Sequence, residues 1–251
     1  PGDEGYHLYE GSVSMDQWII EGAKKGTVTL TGTPADKTYT GDPITLTVTV
    51  TEGDGGEKLS TQDWVKQAVQ KTGEHIAGTL AEAPVFGNEW SVFGLARADY
   101  DVPENFYETY YAVAAEQVKA QESASSPWSG KVTDTQRLAL ALTAIGKDPT
   151  NVEGVNLLDY SWNKETHMSG NALGSLQGSN ELIYALLAIN AHDSFTQPEN
   201  VSMSAEQMID KLLSEYQLAD GGFGLDGNQS IGVDITAMAV QALARYYSSR
   251  T

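Results

Sequence analysis

The feature of this sequence that most constrains its fold is an alternation between two kinds of helical segment. One kind is apolar along one side only: in residues 204–216, Met208 and Leu212 recur at helical spacing among charged residues. The other kind, such as residues 182–189, is apolar nearly all round. A helix that is apolar on every side has to be buried on every side. The alternation therefore predicts two layers, an inner ring of buried helices and an outer ring.

The inner segments recur at a regular spacing along the chain. They align on Leu95, Leu142, Leu186 and Val240, roughly 44 to 54 residues apart, which is the length of one helical hairpin with its loops. The sequence therefore predicts about four helical hairpins, of which the third has a short outer helix near residues 155–160. Solenoids of helical repeats have a similar period, so the repeat length alone does not identify the fold.

The first part of the chain has a different pattern. Residues 44–50 alternate apolar side chains with threonine, which is the period of a half-buried strand, and residues 27–30 repeat it in shorter form. The segment is too short for a complete immunoglobulin-like sandwich. A glycine-rich acidic stretch at residues 52–57 is typical of a linker. We therefore predict a β-rich N-terminal segment at residues 1–57, either an immunoglobulin-like fragment or a small subdomain, and a helical domain at residues 58–251.

Charge and cysteine content exclude several classes of function. The formal net charge is −19, and the sequence contains no cysteine. So acidic a surface repels nucleic-acid phosphates and anionic membranes, and we expect neither as a partner. The absence of cysteine excludes disulfides, thiolate nucleophiles and thiolate zinc sites. No apolar run reaches the roughly 18 residues that a membrane helix needs, so we expect no membrane insertion within this chain.

The start of the chain bears on its cellular location. It begins with Pro1, and its first methionine is Met15. We therefore expect a processed or excised piece whose signal peptide or anchor lies outside it. The lack of cysteine fits a Gram-positive bacterial surface protein, although some cytosolic proteins share it. Together with the strand-like start, these features favour an extracellular or cell wall-associated protein.

One motif near the C-terminal end resembles a known repeat. Residues 211–217, followed by the Asp-Gly-Gly-Phe of residues 220–223, resemble the glutamine-and-tryptophan repeat of squalene and terpene cyclases. Residues 234–243 are similar to that family's next inner helix, and a degenerate copy of the motif occurs at Gln121 and Trp128. We interpret the motif as structural, because a glutamine at a helix end can bond free backbone groups and glycines permit a tight turn.

A second stretch carries a related resemblance. Residues 135–149 resemble bacterial surface proteins with prenyltransferase-type repeats. The combined resemblance covers about residues 60–248 and implies an (α/α) toroid, or a partial toroid, because this chain has fewer hairpins than the family's full ring. The residues assigned to the structural repeat motif are Gln217, Gly221, Gly222 and Phe223, the last standing where the cyclase repeat prefers tryptophan.

The catalytic motifs implied by this resemblance are absent. The aspartate-rich protonation motifs of terpene cyclases do not occur, and residues 234–237 match them only in part. The zinc site and the thioester of related toroids need cysteine. Histidine occurs four times without metal-ligand spacing, so no metal ligand and no catalytic residue is predicted. Asp220, Asp226 and Asp234 lie among glycines, but their spacing does not match an EF-hand, and turn formation is the plainer interpretation.

Acidic residues lie near the N-terminal ends of successive inner helices. These ends should converge on one side of a ring, where toroidal polysaccharide hydrolases and lyases place paired carboxylates. Acids also cap helices and complement their dipoles, and we favour this second interpretation. The four acids are Glu89, Asp134, Glu181 and Asp234. The candidate binding residues at the ring mouth are Glu89, Trp90, Asp134, Arg137, Asn180, Tyr184 and Asp234.

Three functions remain open from the sequence. The first is an exported, non-catalytic binding or adhesion module for a small molecule, a carbohydrate stacked on Trp128 or Trp162, or another surface protein; a corrinoid is a candidate by fold analogy only. The second is a carbohydrate-active or divergent terpene-cyclase-like enzyme, which should show a carboxylate pair in a deep pocket. The third is a structural spacer without a pocket. No cofactor is expected, calcium and a corrinoid being the alternatives.

Overall fold

The computed structural model describes residues 26–31, 47–52, 61–80, 85–168, 171–227 and 232–249, and these residues are mainly helical, as predicted. The chain divides into two compact units, Pro1–Val65 and Lys66–Thr251. The sequence places this boundary between residues 57 and 58, a few residues earlier.

The first unit contains a pair of short strands. Strand β1 (Gly26–Thr31) and strand β2 (Thr47–Glu52) are antiparallel, with Gly26 opposite Glu52 and Thr31 opposite Thr47. Threonine alternates with valine along β2 and with valine or leucine along β1, and β-branched residues such as threonine and valine favour extended backbone. The rest of the predicted β-rich segment lies outside the described residues, so the segment as a whole stays a prediction.

The second unit is built from helices joined by loops. Helix α1 begins in the first unit and continues into the second. A π-helical turn, Leu212–Tyr216, continues α8, and a 3-10 turn, Ala244–Ser249, continues α9. The helices are α1 (Thr61–Thr79), α2 (Glu89–Arg97), α3 (Phe106–Glu122), α4 (Val132–Ala144), α5 (Asp159–Trp162), α6 (Lys164–His167), α7 (Ser179–Ile189), α8 (Ala205–Lys211) and α9 (Val233–Leu243).

Helices α2, α4, α7 and α9 form a row in which each packs against the next. The N-terminal halves of α4 and α7 are joined side by side: the side-chain amide of Gln136 in α4 donates to the backbone carbonyl of Glu181 in α7, at 3.0 Å. Just beyond the other ends of α7 and α9, the side-chain amide of Asn190 donates to the hydroxyl of Tyr246, at 2.7 Å. An ion pair joins the start of α2 to the first half of α4 in the same way. Because matching ends meet in each neighbouring pair, the helices of this inner row run parallel.

Burial along the inner row follows the repeat alignment at three of its four positions. Leu95, Leu142 and Leu186 are fully buried, but Val240 is 59% exposed, so the prediction of a buried residue there was wrong. The reason is the position of α9 at the end of the row. One face of α9, which also includes the exposed Val233, meets no further helix in the part of the chain that the structure describes.

The outer segments lie behind the inner row. Helix α5 contacts both α4 and α7, and α8 contacts α7. The outer segment between α4 and α7 is reduced to the two four-residue helices α5 and α6, in line with the short outer helix that the sequence indicates. Among the described residues, no helix is both long enough and apolar enough to cross a membrane.

Helix α1 does not bury the apolar face that its sequence suggests. Trp64, Val65 and Val69 are 60%, 45% and 40% exposed. Its contacts come later in the helix, where Gly73 is buried against the ring of Tyr100. A Cβ atom at that glycine would lie 2.2 Å from the ring carbon Cδ2, so the close approach requires glycine.

The end of the row can be tested with two truncations of apolar side chains. We expect Leu186→Ala to lower the free energy of unfolding by about 2–5 kcal/mol, because it leaves a cavity between packed helices. We expect Val240→Ala to lower it by less than about 0.5 kcal/mol, because its side chain already meets solvent. Chemical denaturation measures both. An equal loss for the two variants would show that the α9 face is covered.

Candidate functional site

A concave groove of about 820 Å³ runs along the inner row. All four helices of the row line it: α2 contributes Trp90 and Phe93, α4 contributes Thr143, α7 contributes Tyr184 and α9 contributes Met238. A cavity of this size, with mostly apolar walls and a few polar groups, is typical of small-molecule sites.

Two aromatic rings meet across the groove, Trp90 from the first turn of α2 and Tyr184 from the middle of α7. The ring centroids of Trp90 and Tyr184 are 5.6 Å apart, with planes tilted by 47°. Helix α4 lies between α2 and α7 in the row, so this contact spans α4 and makes the face concave. The Tyr184 hydroxyl donates a hydrogen bond to the sulfur of Met238, at 3.2 Å. Trp90 is still 46% exposed, which leaves its ring available to a ligand.

A charged cluster lies beside this aromatic pair. Glu89 is fully buried; one carboxylate oxygen accepts the backbone N–H of Gly87 at 2.8 Å, and the other accepts the Nε–H of Arg137 at 2.9 Å. The Nη2 atom of Arg137 also pairs with a carboxylate oxygen of Asp134, at 3.1 Å. Burial raises the pKa of the Asp134 carboxyl, and the charge of Arg137 partly offsets this rise. Arg137 thus bridges two carboxylates.

Most of the candidate ring-mouth residues lie at this end of the groove. Burial raises the pKa of the Tyr184 hydroxyl; Arg137 lowers it and Asp234 raises it further, so both charges act on this ring. Asn180 does not join the cluster: its side-chain carbonyl oxygen is buried and accepts no hydrogen bond from the described residues. The residues that direct contacts bring together are Glu89, Asp134 and Arg137 in one group and Trp90 and Tyr184 in the other, while Asp234 acts on Tyr184 through its charge.

The remaining acid of the inner row, Glu181, has a structural role. It is fully buried, and one of its carboxylate oxygens pairs with Nζ of Lys164 at 2.8 Å and accepts the N–H of Gly174 at 2.5 Å. The other oxygen accepts the N–H of Gln177 at 3.0 Å. Nothing in the sequence marks Lys164 as buried, because a lysine in a polar stretch carries no pattern that distinguishes a buried position from an exposed one.

The predicted repeat motif forms a tight loop between two helices. Gln217 and Phe223 pair as an isolated antiparallel bridge, and the Gln217 side chain donates to the carbonyl of Gly221 at 3.4 Å. Gly221 has a φ of +91°, which favours glycine. Phe223 is buried, and its N–H donates to the hydroxyl of Thr236 at 2.9 Å. Gly222 accepts the N–H of the residue after Gln217, so the motif ties the end of α8 to the first turn of α9.

The degenerate copy of this motif also makes a backbone contact. The side-chain oxygen of Gln121 accepts the N–H of Trp128 at 2.5 Å. The ring of Trp128 packs against Phe86 and Tyr160, with centroids 5.8 and 6.5 Å away. Trp128 and Trp162 are only 4% and 5% exposed, so the prediction that they stack on a sugar was wrong. Both lie in segments packed behind α4, where the core covers their rings.

The other end of the groove holds residues that sequence analysis did not single out. Arg97 is the last residue of α2, and Arg245 follows α9; both line the groove, together with His192. None of the described lining residues is an aspartate or a glutamate. Within the described ranges, no group of three or more His, Asp or Glu side chains is arranged to hold a metal ion. Helical periodicity could not single out these arginines, because they lie at helix ends.

Comparisons with known proteins do not identify a family or a function for this chain. The chain gives no significant match to protein-family models, to curated proteins or to solved structures. The resemblance to cyclase-type repeats therefore stays a prediction from the motif residues.

The buried ion pair predicts a strong stability effect. We expect Lys164→Met to lower the free energy of unfolding by about 3–5 kcal/mol, because it leaves the Glu181 carboxylate buried without its cation. Adding Glu181→Gln should recover part of this loss. A matched control is Lys211→Met, which removes an exposed pair with Glu215 and should cost less than about 1 kcal/mol. Equal costs for the two lysine variants would contradict the assignment.

The raised pKa of Asp134 predicts a pH-dependent effect. A carboxyl whose pKa is raised by folding destabilises the folded state where it is ionised, so Asp134→Asn should raise the melting temperature at pH 7. The gain should vanish below pH 3.8, where the aspartate is protonated in both states. Asp148→Asn is the control with opposite sign, because hydrogen bonds from Thr150 lower the pKa of Asp148. Thermal unfolding across this pH range measures both; a loss of stability for Asp134→Asn at pH 7 would contradict the account.

Proposed function

We propose that this protein is an exported or cell-surface, non-catalytic module that binds a small ligand in the groove of its inner helical row. One observation carries the proposal: four helices line an aromatic and apolar groove, and its described lining residues include no carboxylate. An enzyme of the glycoside hydrolase type needs two carboxylates facing its substrate. The groove therefore favours binding over hydrolysis.

The proposed scaffold is a partial (α/α) toroid preceded by a short β-rich segment. The parallel order of α2, α4, α7 and α9 supports it, as does the contact between Trp90 and Tyr184 across α4. The exposed face of α9 suits an open ring to which another hairpin could be added. Export and surface location rest on the sequence alone, namely the lack of cysteine and the strand-like start.

The ligand class is open to a direct screen. Oligosaccharides, corrinoids and isoprenoids would each be tested for a rise in melting temperature, since a ligand that binds only the folded state stabilises it by about 2.7 kcal/mol at 100 times its Kd. We expect one class to give a clear shift. Trp90→Ala should weaken its binding about tenfold or more, because the ring lines the groove and offers a large aromatic surface to a ligand.

The control for this variant is another exposed tryptophan. Trp64 lies in α1, is 60% exposed and does not line the groove, so Trp64→Ala should leave the shift unchanged. A shift that survives Trp90→Ala unchanged would place the ligand elsewhere. The absence of any shift would favour the spacer function or adhesion to another surface protein.

A second candidate function is an enzyme that uses carboxylates at the ring mouth, either carbohydrate-active or terpene-cyclase-like. The observation that favours it is the Glu89–Asp134 pair, bridged by Arg137, together with the raised pKa of Asp134. Product analysis after incubation with oligosaccharides and polyprenyl substrates tests it. The enzyme function predicts turnover that Asp134→Asn abolishes, whereas the binding function predicts no turnover and unchanged ligand affinity in this variant.

A further inference from the structure

The charge of the groove is opposite to that of the whole protein. The sequence has 34 acidic and 15 basic side chains, an excess of acids that would be expected to appear on any unselected surface. The groove reverses this ratio, because the charged residues that line it in the described part of the chain are Arg97 and Arg245, with His192 beside them. This local reversal indicates the chemistry of the ligand.

The two arginines lie at the end of the groove away from the aromatic pair. Arg97 follows Trp90 on α2 by two helical turns, a rise of roughly 10 Å. Its side chain is exposed, and no carboxylate pairs with it among the described residues. The groove therefore has an aromatic end and a cationic end, separated by walls that include Leu140 and Leu187.

Arg245 is held in place by two contacts. Its Nη1 atom donates to the backbone carbonyl of Asn190 at 3.3 Å, and its Nη2 atom pairs with Asp193 at 2.8 Å. The first contact offsets the negative end of the α7 dipole, which would otherwise repel an anion. Asp193 is 91% exposed and lies outside the groove lining. A guanidinium has five N–H donors, so two contacts leave donors for a ligand.

Building on the proposed function, we infer that the ligand is an anionic amphiphile. Its apolar or aromatic body lies against Trp90, Phe93 and Tyr184, where burial of apolar surface favours binding. Its carboxylate, sulfate or phosphate group lies at the end of the groove that Arg97 and Arg245 line, where charge-assisted hydrogen bonds hold it. The groove thus selects against neutral analogues with the same body.

A matched pair of fluorescent probes tests this inference. Anilinonaphthalene sulfonate and N-phenylnaphthylamine have the same rings, and only the first is an anion. A net charge of −19 disfavours anions in general, so tighter binding of the sulfonate needs local cations or hydrogen-bond donors, which the charge variants tell apart. We expect the sulfonate to bind about tenfold more tightly, and added salt to reduce the difference.

Three charge variants localise the effect. Arg97→Gln and Arg245→Gln should each weaken sulfonate binding about threefold to tenfold and leave the neutral probe unchanged. Asp193→Asn should strengthen sulfonate binding about twofold to fivefold, because it frees Arg245 from its carboxylate. Lys119→Gln removes the same charge from an exposed pair with Glu153 that lies outside the groove, and it should change neither probe.

The outcomes separate the two proposals. Preference for the sulfonate that is lost in both arginine variants supports the anionic amphiphile. Equal binding of both probes, weakened by Trp90→Ala but not by Arg97→Gln, would overturn this inference while supporting a binding groove. Failure of both probes to bind, or binding insensitive to every groove variant, would overturn the inference together with the proposed function.

Discussion

The parallel packing of the four inner helices is the constraint on which the rest of the structure depends. Parallel helices gather all their positive dipole ends on one side and all their negative ends on the other. The first turns contain Glu89, Asp134, Glu181 and Asp234, each an acid that offsets a positive end. The cationic end of the groove also follows from the parallel packing, because Arg97 and Arg245 lie at or beyond the last turns of α2 and α9, where the helix dipoles are negative. One packing arrangement thus explains both the acidic and the basic end.

Where the inner row buries one of these acidic side chains, its negative charge needs a partner. A carboxylate without water is tolerated only with a cation and hydrogen bonds. Arg137 supplies the cation for Glu89, and Lys164 supplies it for Glu181. These pairs hold the acids in structural roles, and the surface between the helices is left to Trp90, Tyr184 and apolar residues. A groove without carboxylates in its described lining follows from this division.

The sequence predicted what depends on local pattern. Segments apolar all round gave the inner helices and the buried Leu95, Leu142 and Leu186, and the helix starts led to the cluster around Glu89 and Arg137. It did not predict the burial of residues whose exposure depends on which distant segment packs against them. Trp128 is buried and Val240 exposed because of long-range packing that periodicity does not encode. The same holds for Lys164, and for the arginines at the helix ends.

The concave face of the inner row is the central claim, and the contact between Trp90 and Tyr184 tests it most directly. These rings belong to helices that are not neighbours, so they meet only if the row curves around α4. Nuclear Overhauser spectroscopy on protein with labelled aromatic rings, assigned by loss of signals in Trp90→Leu, would detect the contact. Centroids 5.6 Å apart predict a clear cross-peak between the two rings. Absence of that cross-peak, in a protein whose other core aromatic contacts are seen, would contradict the concave groove.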